Sequence, residues 1–164
     1  MGLDVRRTPN AGLLDRLVET VCGIANIGLD SFGAVFIGVT DTEADTLRIR
    51  ELDGVIPLSV GSRYVVGIDR ELDHLGIDLE TYKRRIVDHV AAFALSEPLR
   101  SAVLGTIDCI SHRGQSVLCM WVPSQRDVSD VADAVFVRRG SSTVVVEGFR
   151  ASQAVAARFQ PRRA

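Results

Sequence analysis

Two adjacent guanidinium groups and a small hydroxyl-rich turn, in Phe136-Val-Arg-Arg-Gly-Ser-Ser-Thr143, are the residues of this chain best suited to chemistry. Arginine forks match the geometry of phosphate oxygens, and the backbone N–H groups of a Gly-Ser-Ser turn suit the same acceptors. Arg138, Arg139, Gly140, Ser141, Ser142 and Thr143 are therefore the leading candidates for an anion site. The same run could equally be a strand, a turn and one surface ion pair. Adjacent strand residues point to opposite faces, so one arginine should lean on the protein or a partner, where it needs an acceptor, while the other stays exposed.

Further basic groups gather in Lys83-Arg84-Arg85 and at Arg113, with Arg126, Arg162 and Arg163 beyond. Lys83, Arg84 and Arg85 read first as the solvated face of a helix and second as phosphate contacts. Of the acids, Asp41 alone follows a buried-looking strand, the position from which a metal-binding carboxylate often projects, although a turn-forming Asp is the commoner occupant. One acid is too few for a two-metal nuclease. Cys109, His112 and Cys119 flank one hairpin but lack a fourth ligand, so no metal site is expected. The chain has no Gly-x-Ser-x-Gly elbow, no Gly-x-x-x-x-Gly-Lys-[Ser/Thr] and no Gly-x-Gly-x-x-Gly, so no triad hydrolase or nucleotide-loop chemistry is indicated and no cofactor is expected.

The elements that must hold these groups follow from apolar spacing. Leu14, Leu17, Val18, Val21, Cys22, Ile24 and Ala25 recur at helical intervals, predicting a helix over 12–26. Ala34 to Val39 is apolar on both faces, which predicts a central strand covered on both sides. Thr46 to Leu52 reads as a strand within a surface excursion from Thr40 to Gly61. Asp78 can cap a helix whose Leu79, Tyr82, Ile86, Val90 and Phe93 face inward, with Pro98 just past its end. Val103 to Ile110 and Ser116 to Val122 predict an antiparallel hairpin around Ser111-His-Arg-Gly-Gln115. Ala134 to Arg138 and Thr143 to Val146 read as strands, and a last helix starting near Glu147 would bury Ala151, Ala154, Val155 and Phe159.

These pieces predict an α/β (α+β) domain: a mixed sheet of about five strands with three main helices packed on it. At 164 residues the whole chain, 1–164, is expected to be one domain with a core over about 12–159 and short terminal tails. A hydrophobic fraction of 46% supports a packed core, and a formal net charge of −2 excludes nucleic-acid coating by bulk charge, so any anion site must be local. Three cysteines without paired spacing argue against a disulfide framework. With no apolar signal or membrane-spanning run, a cytoplasmic protein without membrane partners is expected.

Four pieces in order carry a resemblance: the helix into Ala25-Asn26 with Gly28, the strand Gly33-Ala-Val-Phe-Ile-Gly-Val39 followed by Asp41, Val117-Leu-Cys-Met-Trp-Val-Pro-Ser124, and Phe136-Val-Arg-Arg-Gly-Ser-Ser-Thr143. Together, over roughly residues 14 to 159, they resemble the Schlafen AlbA_2 domain family, also called divergent AAA-4. The resemblance implies an α/β domain of the kind found in bacterial DNA-binding regulators and in the RNA-cleaving core of animal Schlafens. Members usually carry a Glu-x-x-x-x-Glu-Phe-Lys-like strand before the first helix. Here Met1 to Gly12 holds Asp4 but no glutamate, so only Asp41 carries over as a catalytic acid. The usual Gly-Gly before the strand is Phe32-Gly33, and a short Asp-x-Gly turn has become the excursion from Thr40 to Gly54.

The resulting expectation is a non-catalytic nucleic-acid-binding module, for DNA or RNA, with a regulatory or defence role. Arg138, Arg139 and the Gly140-Ser141-Ser142 turn would contact phosphates, with Lys83, Arg84, Arg85 and Arg113 secondary. The two-lobed Schlafen core implies that a single lobe such as this one acts as a homodimer. The alternatives are a Schlafen-like ribonuclease using Asp41 with Mg or Mn, and a protein-interaction or assembly subunit.

Overall fold

The apolar stripe near the start of the chain is helix α1, Ala11–Ala25, which buries Leu17, Val18, Val21, Cys22 and Ala25 along one face. The computed structural model describes residues 11–161. Asp4, Arg162 and Arg163 lie outside the described residues. After α1 come β1 (Gly33–Ile37), β2 (Val39–Thr40), α2 (Glu43–Asp53), β3 (Leu58–Val60), β4 (Arg63–Val65), α3 (Asp69–Leu75), α4 (Leu79–Ala92) and α5 (Leu99–Leu104). The hairpin β5 (Ile107–His112) and β6 (Gln115–Val122) follows, then β7 (Phe136–Arg139), β8 (Ser142–Val145) and α6 (Phe149–Ala156), closed by a 3-10 turn at Ala157–Phe159.

The class is mixed α+β, but the strands do not join in one five-stranded mixed sheet. They form three small sheets, in the orders β1-β6-β5, β2-β4-β3 and β7-β8, and the β2–β4, β3–β4, β5–β6 and β7–β8 pairs are all antiparallel. The physical cause is visible at Gly38. Its φ of 99° lies where only glycine is comfortable, and it splits the apolar run Ala34 to Val39 between two sheets. The Gly38 carbonyl then accepts from Val66 and Gly67 N–H groups, and a Cβ on Gly38 would sit 3.1 Å from the Gly67 carbonyl carbon. Instead of being central, β1 lies at a sheet edge, with Phe36 45% exposed. The strand that is covered on both sides is β6, in which Val117, Leu118, Cys119 and Met120 are all buried.

The chain divides into two compact units. One takes in the described parts of Met1–Val35, Ile86–Thr106 and Trp121–Ala164, the other Phe36–Arg85 and Ile107–Met120. The second unit contains a surprise in the predicted strand Thr46 to Leu52, which is helix α2. Its start is set by Thr42, whose hydroxyl accepts from the Asp45 N–H, and its end by Gly54 in a left-handed conformation donating to the Arg50 carbonyl. Alternating polar residues in Thr-Leu-Arg-Ile-Arg mimic a strand, yet Thr46 and Ile49 are one helical turn apart and are both buried. The unit also buries a polar network. Glu71 accepts from the Tyr82 hydroxyl at 3.0 Å and from Arg70 at 3.1 Å, and Arg70 reaches Asp53 at 3.0 Å. Burial, reinforced by the Glu71 carboxylate, pushes the Tyr82 phenol far above its ordinary pKa, so it remains a donor.

Helix α4 matches expectation: Tyr82, Ile86 and Val90 are buried, and the Asp78 carboxylate accepts from the Thr81 N–H at 2.7 Å. Thr81, through its side chain and its N–H, holds the Asp78 carboxyl below the usual carboxylate range. A depressed native pKa stabilises the fold above the unfolded pKa, and this contribution disappears as pH falls through the native value. Asp78→Ala should therefore lower the thermal midpoint at neutral pH, and the difference should close in acid when the melts are repeated down a pH series. An unchanged midpoint at neutral pH would remove Asp78 as a working cap.

The predicted strand Val103 to Ile110 begins late, because Leu99–Leu104 forms α5, and Gly105 and Thr106 turn the chain into β5. The β5–β6 hairpin turns in two residues, Arg113 and Gly114, both at positive φ as such a loop requires. The last helix starts at Phe149, and Ala154 is exposed, leaving Val155 and Phe159 as its buried anchors. Among the described residues no helix is long and apolar enough to cross a membrane.

Candidate nucleic-acid interface

The Arg-Arg-Gly-Ser-Ser-Thr run is a two-stranded ribbon, β7–β8, whose pairs are Phe136↔Val145, Val137↔Val144, Arg138↔Thr143 and Arg139↔Ser142. Gly140 and Ser141 form the loop, with Gly140 at φ 60° and Ser141 at negative φ, the pattern of a two-residue turn led by glycine. Alternation gives the ribbon two faces. Val137 and Val144 join Val135, Val146, Val128, Val155 and Phe159 in one apolar cluster, which seats α6 on that face. Phe136, Arg138, Thr143 and Val145 occupy the other face, toward α1.

Helix α1 accepts the ribbon at Gly23. A Cβ there would meet the Thr143 methyl at 3.2 Å, the Val137 carbonyl carbon at 3.4 Å and Arg138 Cδ at 3.5 Å, so the missing side chain is the space in which the ribbon lies. Three residues on, Asn26 is fully buried and pins the same region. Its Nδ2 donates to the Ser129 and Phe136 carbonyls, both at 2.8 Å, and its Oδ1 accepts from the Ser129 N–H at 2.9 Å. Cys22, beside it, donates to the Ser129 carbonyl at 3.3 Å. Burial pushes its thiol up to about 11, which suits a packing role and not a nucleophile.

The two arginines have different surroundings. Arg138 folds back over its own loop, donating to Thr143 Oγ1 at 2.8 Å, to the Ser141 carbonyl at 2.7 Å and to the Gly140 carbonyl at 3.4 Å. Thr143 Oγ1 is also 3.2 Å from Thr20 Oγ1 on α1, so that hydroxyl is engaged as well. Arg139 is exposed at the ribbon tip, and its side chain has no hydrogen bond or ion pair among the described residues. Ser141 and Ser142 are exposed beside it. The groups left to meet a ligand are thus Arg139 and the two serines, with Arg138 setting the shape of the loop.

Acceptor chemistry matters here, because every partner of Arg138 is neutral. Arg158 likewise donates to the Asn26 carbonyl at 3.0 Å, and Arg150 is exposed at the start of α6. Among the described residues Arg138, Arg139, Arg150 and Arg158 have no carboxylate partner, while Arg48, Arg63 and Arg100 each have one and Arg70 has two. Four arginines and the single acid Glu147 lie between Phe136 and Pro161, within a chain of net charge −2. Arg150, Arg158 and the exposed Phe149 escaped sequence reasoning that looked for motifs; the charge balance of this segment was the signal that could have found them.

The secondary candidates belong to the other unit. Lys83 is bound to Asp108 at 2.9 Å, an ion pair that raises the lysine pKa and lowers that of the aspartate. Arg84 and Arg85 are exposed on α4, and Arg113 is exposed at the β5–β6 turn. Asp41 follows β2 and accepts from Arg63 at 2.7 Å, with both side chains largely exposed. Register separates the hairpin candidates: Cys109 shares a face with Leu118, whereas Cys119 and His112 lie on the opposite face with Asp108 and Gln115. No three His, Cys, Asp or Glu side chains come together as metal donors among the described residues. Comparison of the chain with protein-family models, curated proteins and solved structures finds no significant match.

Proposed function

We propose that this chain is a non-catalytic nucleic-acid-binding module with a regulatory or defence role, in which Arg139, Ser141 and Ser142 meet phosphate oxygens while Arg138 holds the loop in shape. The carrying observation is the set of arginines on the ribbon, on α6 and in the 3-10 turn after it whose charge no carboxylate neutralises among the described residues. Positive charge left unpaired on a chain of net negative charge is a local anion-attracting surface. The resemblance to the Schlafen AlbA_2 family supports the same reading. The ribonuclease alternative has less support, since the Asp41 carboxylate is held by Arg63.

Phosphate contacts release counterions, so affinity should fall steeply with salt. Arg139→Ala should weaken binding to DNA and RNA alike and reduce the log–log salt slope by about one unit, because one phosphate contact is lost. The check is a salt-titrated binding isotherm for the wild type and the variant. An Arg139→Ala protein with the affinity and slope of the wild type would overturn the assignment.

A further inference from the structure

We propose that the surface formed by the ribbon and α6 selects single-stranded nucleic acid, with the ring of Phe149 as a stacking platform for an unpaired base; this rests on the nucleic-acid reading above and names its substrate class. Phe149 is the first residue of α6 and is 76% exposed, although the buried anchors of that segment, Val155 and Phe159, lie further along. The ring therefore adds little to the core. Its neighbours on the chain are Gly148, which has no side chain to cover it, and the exposed Arg150.

Geometry relates this ring to the ribbon tip. Arg139 and Ser142 continue the face whose Val137 and Val144 seat α6, and the Val146 N–H extends the pairing by donating to the Val135 carbonyl at 2.7 Å. Arg139 thus lies at one end of the ribbon and the link into Phe149 leaves from the other, about 13 Å away at the usual rise per strand residue. A strand that tracks between them would place one phosphate on Arg139 and a base some nucleotides along against the ring. Duplex bases already stack on one another and have no free face to offer, whereas a single strand does. The occupant is argued from charge: Arg139 at the ribbon tip and Arg150 beside Phe149 are both exposed and have no carboxylate partner among the described residues, so this surface complements a polyanion.

The experiment is fluorescence anisotropy of the full chain against a labelled mixed-sequence oligonucleotide, single-stranded and annealed to its complement, over a range of salt. The single strand should bind more tightly than the duplex. Phe149→Ala should weaken single-strand binding about tenfold or more while leaving the salt slope unchanged, and Phe149→Trp should restore it, since stacking contributes affinity without releasing counterions. Equal affinity for strand and duplex, or a Phe149→Ala variant that binds the single strand like the wild type, overturns the inference. In either case the proposed function stands if Arg139→Ala still lowers the salt slope. Absence of binding to either form, as expected if this surface instead recognises an acidic protein, overturns both.

Discussion

Asn26→Leu should cost the protein about 4 kcal/mol of stability, because it leaves several buried backbone groups without partners at once. The amide, itself fully buried, serves the Ser129 carbonyl, the Phe136 carbonyl and the Ser129 N–H. Each orphaned group costs about 1–3 kcal/mol, and the leucine repays only part of that through apolar burial. For a domain with a net stability of about 5–15 kcal/mol the loss is a large share. Urea unfolding should show a lower midpoint with an unchanged slope. A shift worth less than about 1 kcal/mol would mean that neighbouring groups satisfy these atoms when the amide is gone. The consequence extends to binding, since Phe136 begins the strand that carries Arg138 and Arg139.

Glu71→Ala should have an effect of similar size in the other unit. The carboxylate is 4% exposed and is the shared acceptor of Arg70 and the Tyr82 hydroxyl. Removing one member of a buried charged set typically costs about 3–5 kcal/mol, because the remaining charge stays desolvated. Arg70 would retain Asp53, which limits the loss, but its buried Nε already has no hydrogen-bond partner. Replacing Asp53, Arg70 and Glu71 together by Asn, Met and Gln, which removes every charge of the set and leaves the Gln oxygen to accept from the Tyr82 hydroxyl, should recover much of the stability lost in Glu71→Ala. Denaturation of the single and triple variants decides the matter. A triple variant no more stable than Glu71→Ala would show that the network is needed for packing geometry as well as for charge balance.

The sequence made the amphipathic elements readable where their period was unambiguous. Helices α1 and α4 each bury a stripe at 3.6-residue spacing, and the β5–β6 hairpin is announced by its Arg-Gly turn. Legibility failed where a local signal had two readings. Thr-Leu-Arg-Ile-Arg alternates like a strand, and only the Thr42 and Gly54 caps reveal a helix. Ala34 to Val39 reads as one buried strand because nothing in a composition window tells that Gly38 adopts positive φ and sends the chain into another sheet. At the candidate interface the opposite surroundings of adjacent arginines followed from strand alternation alone. The roles of Gly23 and Asn26 did not, because each depends on a segment more than a hundred residues away, and no spacing rule reaches that far.

The clasp made by Arg138 ties shape to charge in a way that constrains how this surface can change over time. Its three acceptors are a hydroxyl and two carbonyls, none of which can take up a positive charge. Only a side chain with several divergent donors can bridge them together, and that requirement selects a guanidinium. The loop therefore cannot drift toward neutrality one residue at a time: a substitution that erases the charge of Arg138 also unlatches the turn that presents its neighbour.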